Sequence, residues 1–512
     1  MEAPRIRPLV LASTLGLLVC SASPRAAAQS NYRLAPVGGR TTLVGGTGLA
    51  FGRDSASAFL NPATVVRVDA GRLAFSVNFY ELSMFRSSSW YAPGPIDRKN
   101  FGDVGSAKAS VTTYDFDSLP SSLCIFLRVG DINVLAGDAS KELRTLQARL
   151  GICIATVQAS DFTFQREDFS TGTASGGTRQ AQTVRQTFRR IAAGPTYAMY
   201  ITNALAMGAS IHVSRAAYRS LLQSSATTYG GISPVTSQFF KSSNGDSYDL
   251  SATLGATYRI GRFQTVAASI EAPSLHAFGS GGTSSYTHYD GATSGTTSVA
   301  ARGDFASYTP LRVAIGTGIE RSWGSAEVNV SYHLPVGSAY KAQFQGRRVD
   351  VAASQQSDVP VSLDLSAPAR GAVNVGVGAE VVVAPALTVL GGLSTDLTTV
   401  PKGALLSDPI AYFPSRTNRV AASFGLGSHG AGGDLYFGGE LGYAWGERLA
   451  VNSYQLPARL ETTSYQAFSL LIVIAGSTTF RAIKRAVNDL TEIVDPTKTA
   501  APAATPAPTP KK

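Results

Sequence analysis

Residues 205–214 read LAMGASIHVS, and residues 250–259 read LSATLGATYR. In the first stretch Leu205, Met207, Ala209, Ile211 and Val213 alternate with Ala206, Gly208, Ser210, His212 and Ser214. In the second, Leu250, Ala252, Leu254, Ala256 and Tyr258 alternate with Ser251, Thr253, Gly255, Thr257 and Arg259. Successive side chains of a strand point to opposite faces, so each stretch makes a strand with one apolar face and one polar or small face. The pattern recurs at 73–80, 327–333 and 373–381. A strand of a soluble sandwich runs about five or six residues. A tilted strand crossing a bilayer needs about 9–11, which is the length of these runs.

Composition agrees. The chain carries 51 Gly, 20 Tyr and 23 Phe, with only 15% charged residues, so turn formers and aromatics outweigh helix formers. After the first 28 residues no stretch nears the roughly 18 apolar residues of a membrane helix; Phe468–Ala475 is much too short. A chain of 512 residues without obvious domain breaks is therefore read as one large barrel rather than several soluble domains.

Connections set the topology. Short turns are read at Val129-Gly130-Asp131, Thr202-Asn203, Ile260-Gly261-Arg262, Trp323-Gly324-Ser325, Ala384-Pro385-Ala386 and His429–Gly433. Long polar loops are read at 85–118, 159–183, 223–247, 276–307, 340–369 and 400–416, with a shorter one at 452–462. Counting the strands between them gives fourteen, an even number, as an antiparallel barrel with both termini on one side requires. The third, 132–158, is the least regular, and Ser140–Leu150 reads equally as a short helix or a kink. The fold class is all-β: a transmembrane antiparallel barrel of about 14 strands.

The ends differ from the middle. Arg5 and Arg7 precede an apolar run, Leu9–Val19, and Ala26-Ala27-Ala28 supplies a cleavage site, so residues 1–28 read as a cleaved export signal with Gln29 first in the mature chain. A lipoprotein reading meets Val19, not a small residue, before Cys20. Losing the signal lowers the net charge from +10 to about +8. On an exported chain that basic balance points to lipopolysaccharide phosphates or an acidic ligand rather than nucleic acid. Cys124 and Cys153 remain and are free to pair in an oxidising compartment. At the other end, 481–495 has helical spacing on Ile483, Val487 and Leu490, and 496–512 is a Pro/Ala-rich disordered tail.

Residues 29–66 remain, rich in Gly and Ala and without a lasting period. A barrel of this width leaks unless filled. An irregular backbone shielded from lipid suits that task, and Gly and Ala permit its close packing. Asn61-Pro62 makes a sharp turn, because Pro62 fixes φ and disfavours a helical Asn61. The segment is expected to be a hatch that plugs the lumen of a barrel spanning 67–480.

Gly48-Leu49-Ala50-Phe51-Gly52, Asp54-Ser55-Ala56 and Asn61-Pro62-Ala63, followed at once by an alternating strand from Leu73, resemble the N-terminal hatch of the FadL-type outer-membrane fatty-acid and hydrocarbon transporters, including the TodX-like toluene-uptake branch. The resemblance covers fewer than twenty residues; the helix and tail after Phe480 depart from it. It implies a fourteen-stranded barrel with a hatch, in the outer membrane, taking up hydrophobic small molecules. The hatch motif carries over as Gly48, Asp54, Asn61, Pro62 and Ala63.

Candidate ligand-binding residues are Phe51, Phe59 and Leu60, apolar within an otherwise polar plug, with Arg190 and His212 as cations for a fatty-acid carboxylate. Glu271, Glu327, His333 and Glu380 also face the lumen by alternation; a salt-bridged lining accounts for such groups without a ligand. Ser331 with His333 and Ser210 with His212 share a face, as a barrel lipase would need, but no acid partner or nucleophile elbow accompanies them. The His and Cys residues show no metal-ligand spacing, and no cofactor is expected. The reading is a monomeric, non-enzymatic transporter of hydrophobic compounds, in contact with membrane lipid and lipopolysaccharide. The alternative is a structural or adhesive barrel.

Overall fold

The alternating segments pair with their neighbours in chain order, and the last pairs with the first. The structure is a computed structural model that describes residues 37–87, 110–115, 120–135, 143–171, 177–229, 234–290, 294–352, 355–407, 415–452, 459–480 and 482–483. Its strands are β1 (Arg72–Ser87), β2 (Ser110–Asp115), β3 (Pro120–Leu135), β4 (Leu143–Thr171), β5 (Gly177–Tyr200), β6 (Leu205–Tyr229) and β7 (Val235–Ile260). They continue with β8 (Gln264–Glu271), β9 (Leu275–Asp290), β10 (Gly295–Ser307), β11 (Arg312–Arg321), β12 (Gly324–His333) and β13 (Val336–Ala352). The rest are β14 (Gln355–Ala369), β15 (Ala372–Ala384), β16 (Leu387–Asp396), β17 (Ser415–Gly430), β18 (Gly433–Asn452) and β19 (Arg459–Thr479). β1 pairs antiparallel with β19 from Arg72↔Thr479 to Ser87↔Tyr465 and closes the ring.

The nineteen strands make fourteen staves, because five staves are each split in two: β2/β3, β8/β9, β10/β11, β12/β13 and β14/β15. A proline stands in or near every split. Pro120 opens β3, while Pro273, Pro310 and Pro335 lie in the gaps after β8, β10 and β12. Pro368 sits two residues before the gap after β14. Proline has no N–H to give the ladder, which weakens a long strand there, though Pro195 and Pro360 are accommodated within β5 and β14. Neighbouring segments bridge the gaps, as in Ser274 N–H to Thr309 O at 3.2 Å and Leu334 N–H to Leu311 O at 2.8 Å.

The fourteen-stave closed barrel agrees with the sequence reading; several boundaries do not. Val129-Gly130-Asp131 is no turn. It lies inside β3, where the register with β4 slips between Arg128 and Asp131, and Gly130 takes φ 131°. Leu143–Leu150 is strand rather than helix. The segments 159–183, 223–247, 276–307 and 340–369, read as loops, are mostly ladder: β4 runs 29 residues and β7 runs 26. Within 400–416 a short helix, Ala404–Ser407, is formed. The export signal, residues 29–36, nearly all of 481–495 and the tail lie outside the described residues.

Why loops were read there follows from β6. Up to Val213 its outward side chains Met207, Ile211 and Val213 are exposed, while inward Ser210, His212 and Ser214 are buried. Beyond Val213 the outward side chains include Arg215 and Arg219, both paired with Asp246 of β7 at 2.7 and 3.2 Å. The inward ones include Ala216, Tyr218 and Leu222, all buried. The ladder continues unbroken while its polarity changes sides. On the neighbouring β5, inward Arg190 gives way to Phe188 and Val184 in the same sense. Cys124 and Cys153, directly opposed on β3 and β4, form a disulfide, which decides the pairing that the sequence left open.

Candidate functional site

Residues 37–68 are almost entirely buried, and they are held by inward-facing side chains of the staves. Three short turns of helix organise them: α1 (Gly39–Leu43), α2 (Ser57–Leu60) and a 3-10 turn, Pro62–Arg67. Pro62 stands first in its turn, where a missing N–H costs nothing, and Asn61 before it is extended at φ −151°, ψ 100°. Asn61 Oδ1 accepts from Ala63 N–H at 3.1 Å. Its Nδ2 donates to Leu49 O at 2.6 Å and to Ala256 O of β7 at 3.3 Å. One amide thereby ties the turn to itself, to the preceding loop and to the wall.

Two carboxylates of the wall anchor the rest. Glu327 on β12 accepts the backbone N–H groups of Gly48, Ala50 and Phe51 at 2.9, 3.0 and 3.1 Å. Gly48 sits at φ 144°, a conformation closed to other residues without strain. Glu380 on β15 receives Arg40 Nε and Nη2 at 2.8 and 2.6 Å, and Arg40 Nη1 donates to Phe51 O at 3.0 Å. Burial works against the Arg40 charge, yet Glu380 holds the guanidinium above its ordinary value. Asp54 accepts from Thr41 N–H, Thr41 Oγ1 and Ala56 N–H at 2.8, 2.9 and 3.1 Å. Burial still pushes its carboxyl up from the usual range.

The wall is also shaped to admit the segment. A methyl group at Gly255 of β7 would lie 1.9 Å from Asn61 Oδ1, and one at Gly378 of β15 would lie 2.0 Å from Val44 O. Glycine is the residue that lets backbone approach backbone there.

Between this segment and the wall lies a cavity of about 170 Å³. Leu49, Phe59 and Leu60 line it from the segment, with Val157, Ala192 and Pro310 from the wall. Its charges are matched: Arg312 with Glu271 at 3.1 Å and Arg419 with Glu440 at 2.7 Å. Arg312 Nη2 also donates to Phe59 O at 2.9 Å, fixing the α2 terminus.

Of the predicted ligand residues, Phe59, Leu60, Arg190 and His212 all line this cavity. Phe59 stacks on His212 with ring centroids 4.5 Å apart. Arg190, only 2% exposed, donates to Ser307 O and Oγ at 2.9 and 3.0 Å and lies 3.9 Å from Asp249. Phe51 is elsewhere, buried beneath the Arg67 guanidinium at 4.9 Å. Glu271 and His333 line the cavity; Glu327 and Glu380 face the lumen as the alternation indicated but hold the N-terminal segment. Ser210 Oγ donates to Ala58 O at 2.7 Å, so that hydroxyl serves packing. Ser331 lines the cavity beside His333. Sequence reasoning missed Arg40, Arg312 and the Arg419–Glu440 pair. A lone arginine in a Gly/Thr-rich stretch was the available signal for Arg40.

No protein-family model and no curated protein matches the chain. Solved structures do resemble it. The P. putida toluene transporter TodX aligns with a TM-score of 0.54 and 13% identity, over 87% of this chain and 99% of its own. A Pseudomonas aeruginosa FadL homologue aligns with a TM-score of 0.51 and 13% identity, over 89% of this chain and all of its own. At this identity the likeness is one of architecture: the chain has the closed fourteen-stave barrel fold of the FadL-type transporters.

Proposed function

We propose that this protein is an outer-membrane passive transporter for hydrophobic compounds such as long-chain fatty acids or aromatic hydrocarbons, and that residues 29–66 are its hatch. The observation that carries the reading is the cavity enclosed between the N-terminal segment and the wall, where Leu49, Phe59 and Leu60 offer apolar surface inside an otherwise polar lumen. Lumenal sites for hydrophobic ligands take this form, a concave apolar surface with a few oriented polar groups. The outward apolar band on β6, β7, β15 and β17 fits the hydrocarbon layer of a membrane. The short turns then lie on the periplasmic side, with both chain ends. TodX and the FadL homologue, named as a toluene transporter and a FadL-family protein, add support through their shared architecture.

In this reading Asn61-Pro62-Ala63 is the hinge of the hatch. Its bonds to Leu49 and Ala256 couple the hatch to the floor of the cavity, and a shift of the turn opens a way past Phe59 and Leu60. Uptake of radiolabelled oleate and toluene by a deletion strain, with and without the gene restored, tests the proposal. Restored cells are expected to take up one of the two faster. Equal uptake of both would remove the transport reading and favour a structural or adhesive barrel. Asn61→Ala with Pro62→Gly is expected to alter the restored uptake while the barrel keeps its heat-modifiable migration, since the ladder bonds lie elsewhere.

A further inference from the structure

The outer face of the wall changes character along one line. On β5, β6 and β7 the apolar outward side chains end at Ile191, Val213 and Leu250, which are 39%, 59% and 41% exposed. The next outward positions on these strands are Arg189, Arg215 and Tyr248. Beyond them come Thr187, Ala217 and Asp246, and then Arg185, Arg219 and Asn244. The register sets Arg215 opposite Tyr248 and puts Arg189 and Asp246 on either side of Ala217. Diagonal neighbours in such a ladder are about 7–8 Å apart, within reach of long side chains. Arg189, Arg215 and Arg219 thus surround one small residue, Ala217. Tyr248 stacks on Phe278 of β9 with ring centroids 4.6 Å apart, and Phe278 is 64% exposed.

The charge of this patch is unbalanced. Arg215 gives Nε and Nη2 to Asp246 Oδ1 at 3.1 and 2.7 Å, and Arg219 gives Nη1 to Asp246 Oδ2 at 3.2 Å. Two guanidinium groups share one carboxylate, and each is about half exposed. Arg215 Nη1 and Arg219 Nε and Nη2 make no hydrogen bond among the described residues. Arg185 is exposed as well and has no ion pair among the described residues. On β4 the outward carboxylate is Asp161. Lys241 and Asp249 of β7 are buried on the inward face and add nothing outside. Among the described side chains beyond the band on β4–β7, four arginines therefore face two carboxylates.

We propose that this patch binds the phosphate groups of an outer-leaflet glycolipid whose acyl chains lie on the apolar band below. A phosphate carried by a lipid is held where hydrocarbon gives way to water, and the first arginines past Ile191 and Val213 stand at that level. Aromatic side chains gather at the same boundary, as Tyr248 and Phe278 do. Guanidinium groups suit phosphate because their paired N–H donors meet paired oxygens. Such a phosphate supplies the acceptors that a single Asp246 cannot give to two arginines. A free anion gains nothing from the band beside it, whereas a lipid gains from both parts, so the surface favours a lipid-borne phosphate. The site rests on the outer-membrane part of the proposed function and on no transported solute.

The purified full-length chain in detergent is titrated with bisphosphorylated lipid A, with the same lipid stripped of its phosphates, and with inorganic phosphate. The bisphosphorylated lipid is expected to bind roughly tenfold or more tighter than the stripped one, and less tightly as salt rises. Arg215→Gln with Arg219→Gln should reduce this preference by roughly tenfold. Arg347→Gln with Arg348→Gln removes two exposed arginines of β13 and should leave it within about twofold. Asp246→Asn is expected to tighten binding, since it frees both guanidinium groups; a merely structural role for these ion pairs would not. Heat-modifiable migration is the folding control, and the Asp246→Asn result decides by itself where the double variant fails that control. Equal affinity for the two lipid forms, an unchanged preference after Arg215→Gln with Arg219→Gln, weaker binding after Asp246→Asn, or displacement of the lipid by an equal concentration of inorganic phosphate overturns the proposal. No transported solute enters the titration, so its failure is told apart from a failure of the uptake test.

Discussion

The lower and upper parts of β6 belong to one continuous strand with opposite polarity. Near the short turns, β6 turns Met207, Ile211 and Val213 outward and Ser210, His212 and Ser214 inward. Farther along, the same strand turns Arg215 and Arg219 outward and Ala216, Tyr218 and Leu222 inward. In the membrane-spanning reading, the solvent on each side explains both. Where lipid is outside, apolar side chains belong there and the polar face has the lumen, with its hydrogen-bonded N-terminal segment, to satisfy it. Where water is outside, the wall behaves as a soluble sheet and buries its apolar face within. The difference teaches that strand alternation reports the surroundings of a strand as much as its presence.

Substitutions can break this comparison, beginning with the interiors. Phe344→Ala removes a fully buried ring from the upper half and is expected to cost about 3–5 kcal/mol. Ser214→Ala, buried in the lower half, should cost about 1 kcal/mol or less. Urea unfolding of the reconstituted barrel reads both, and equal losses would mean that the two interiors do not differ as described. The exteriors give the next largest effect. Leu254→Arg, at a position 63% exposed on the apolar band, should cost about 2–4 kcal/mol of folding into phospholipid vesicles. Ala217→Arg, outward beyond the band, should change the same measurement by no more than about 0.5 kcal/mol.

Smaller effects sharpen the contrast. Asn61→Ala loses bonds to Ala63, Leu49 and Ala256, each worth about 1 kcal/mol, in a lumen that is polar in order to hold this segment. Amide exchange at Ala63 and Thr64 should quicken by roughly tenfold or more while the β6–β7 ladder is unchanged. Unchanged exchange at those amides would show that the turn is held without the side chain. The smallest effect belongs to the upper exterior. Asp246→Asn releases Arg215 and Arg219, both about half exposed, and should cost only about 0.2–1 kcal/mol in the same urea assay.

Much of the lower half was legible in the sequence. Alternation over 205–213 and 250–258 identified staves with an exposed apolar outer face, and the turns at Thr202-Asn203 and Ile260-Gly261-Arg262 fall between strands as read. The extended Asn61 before Pro62 followed from proline sterics alone. The upper half was not legible, because a reversal of polarity near Val213 looks like a loss of period when a single apolar face is sought. Gly130-Asp131 has the composition of a turn and sits in a register slip, which local sequence does not distinguish. The site was legible in part. Phe59, Leu60, Arg190 and His212 converge on one cavity, but the ion pair of Arg40 with Glu380 spans 340 positions of chain and has no local signature. The prolines of the split staves were visible throughout, and their positions acquire meaning only once both halves are seen.

Those interruptions have a consequence for how such a protein can be re-engineered. At Pro273, Pro310 and Pro335 one strand ends before the next begins. A segment exchanged between β8 and β11 replaces the β9–β10 hairpin and has to match the register of its flanks, the upper part of β7 and β13. The breaks confine such an exchange to the hairpin and its two flanking strands and leave β8 and β11 as they are.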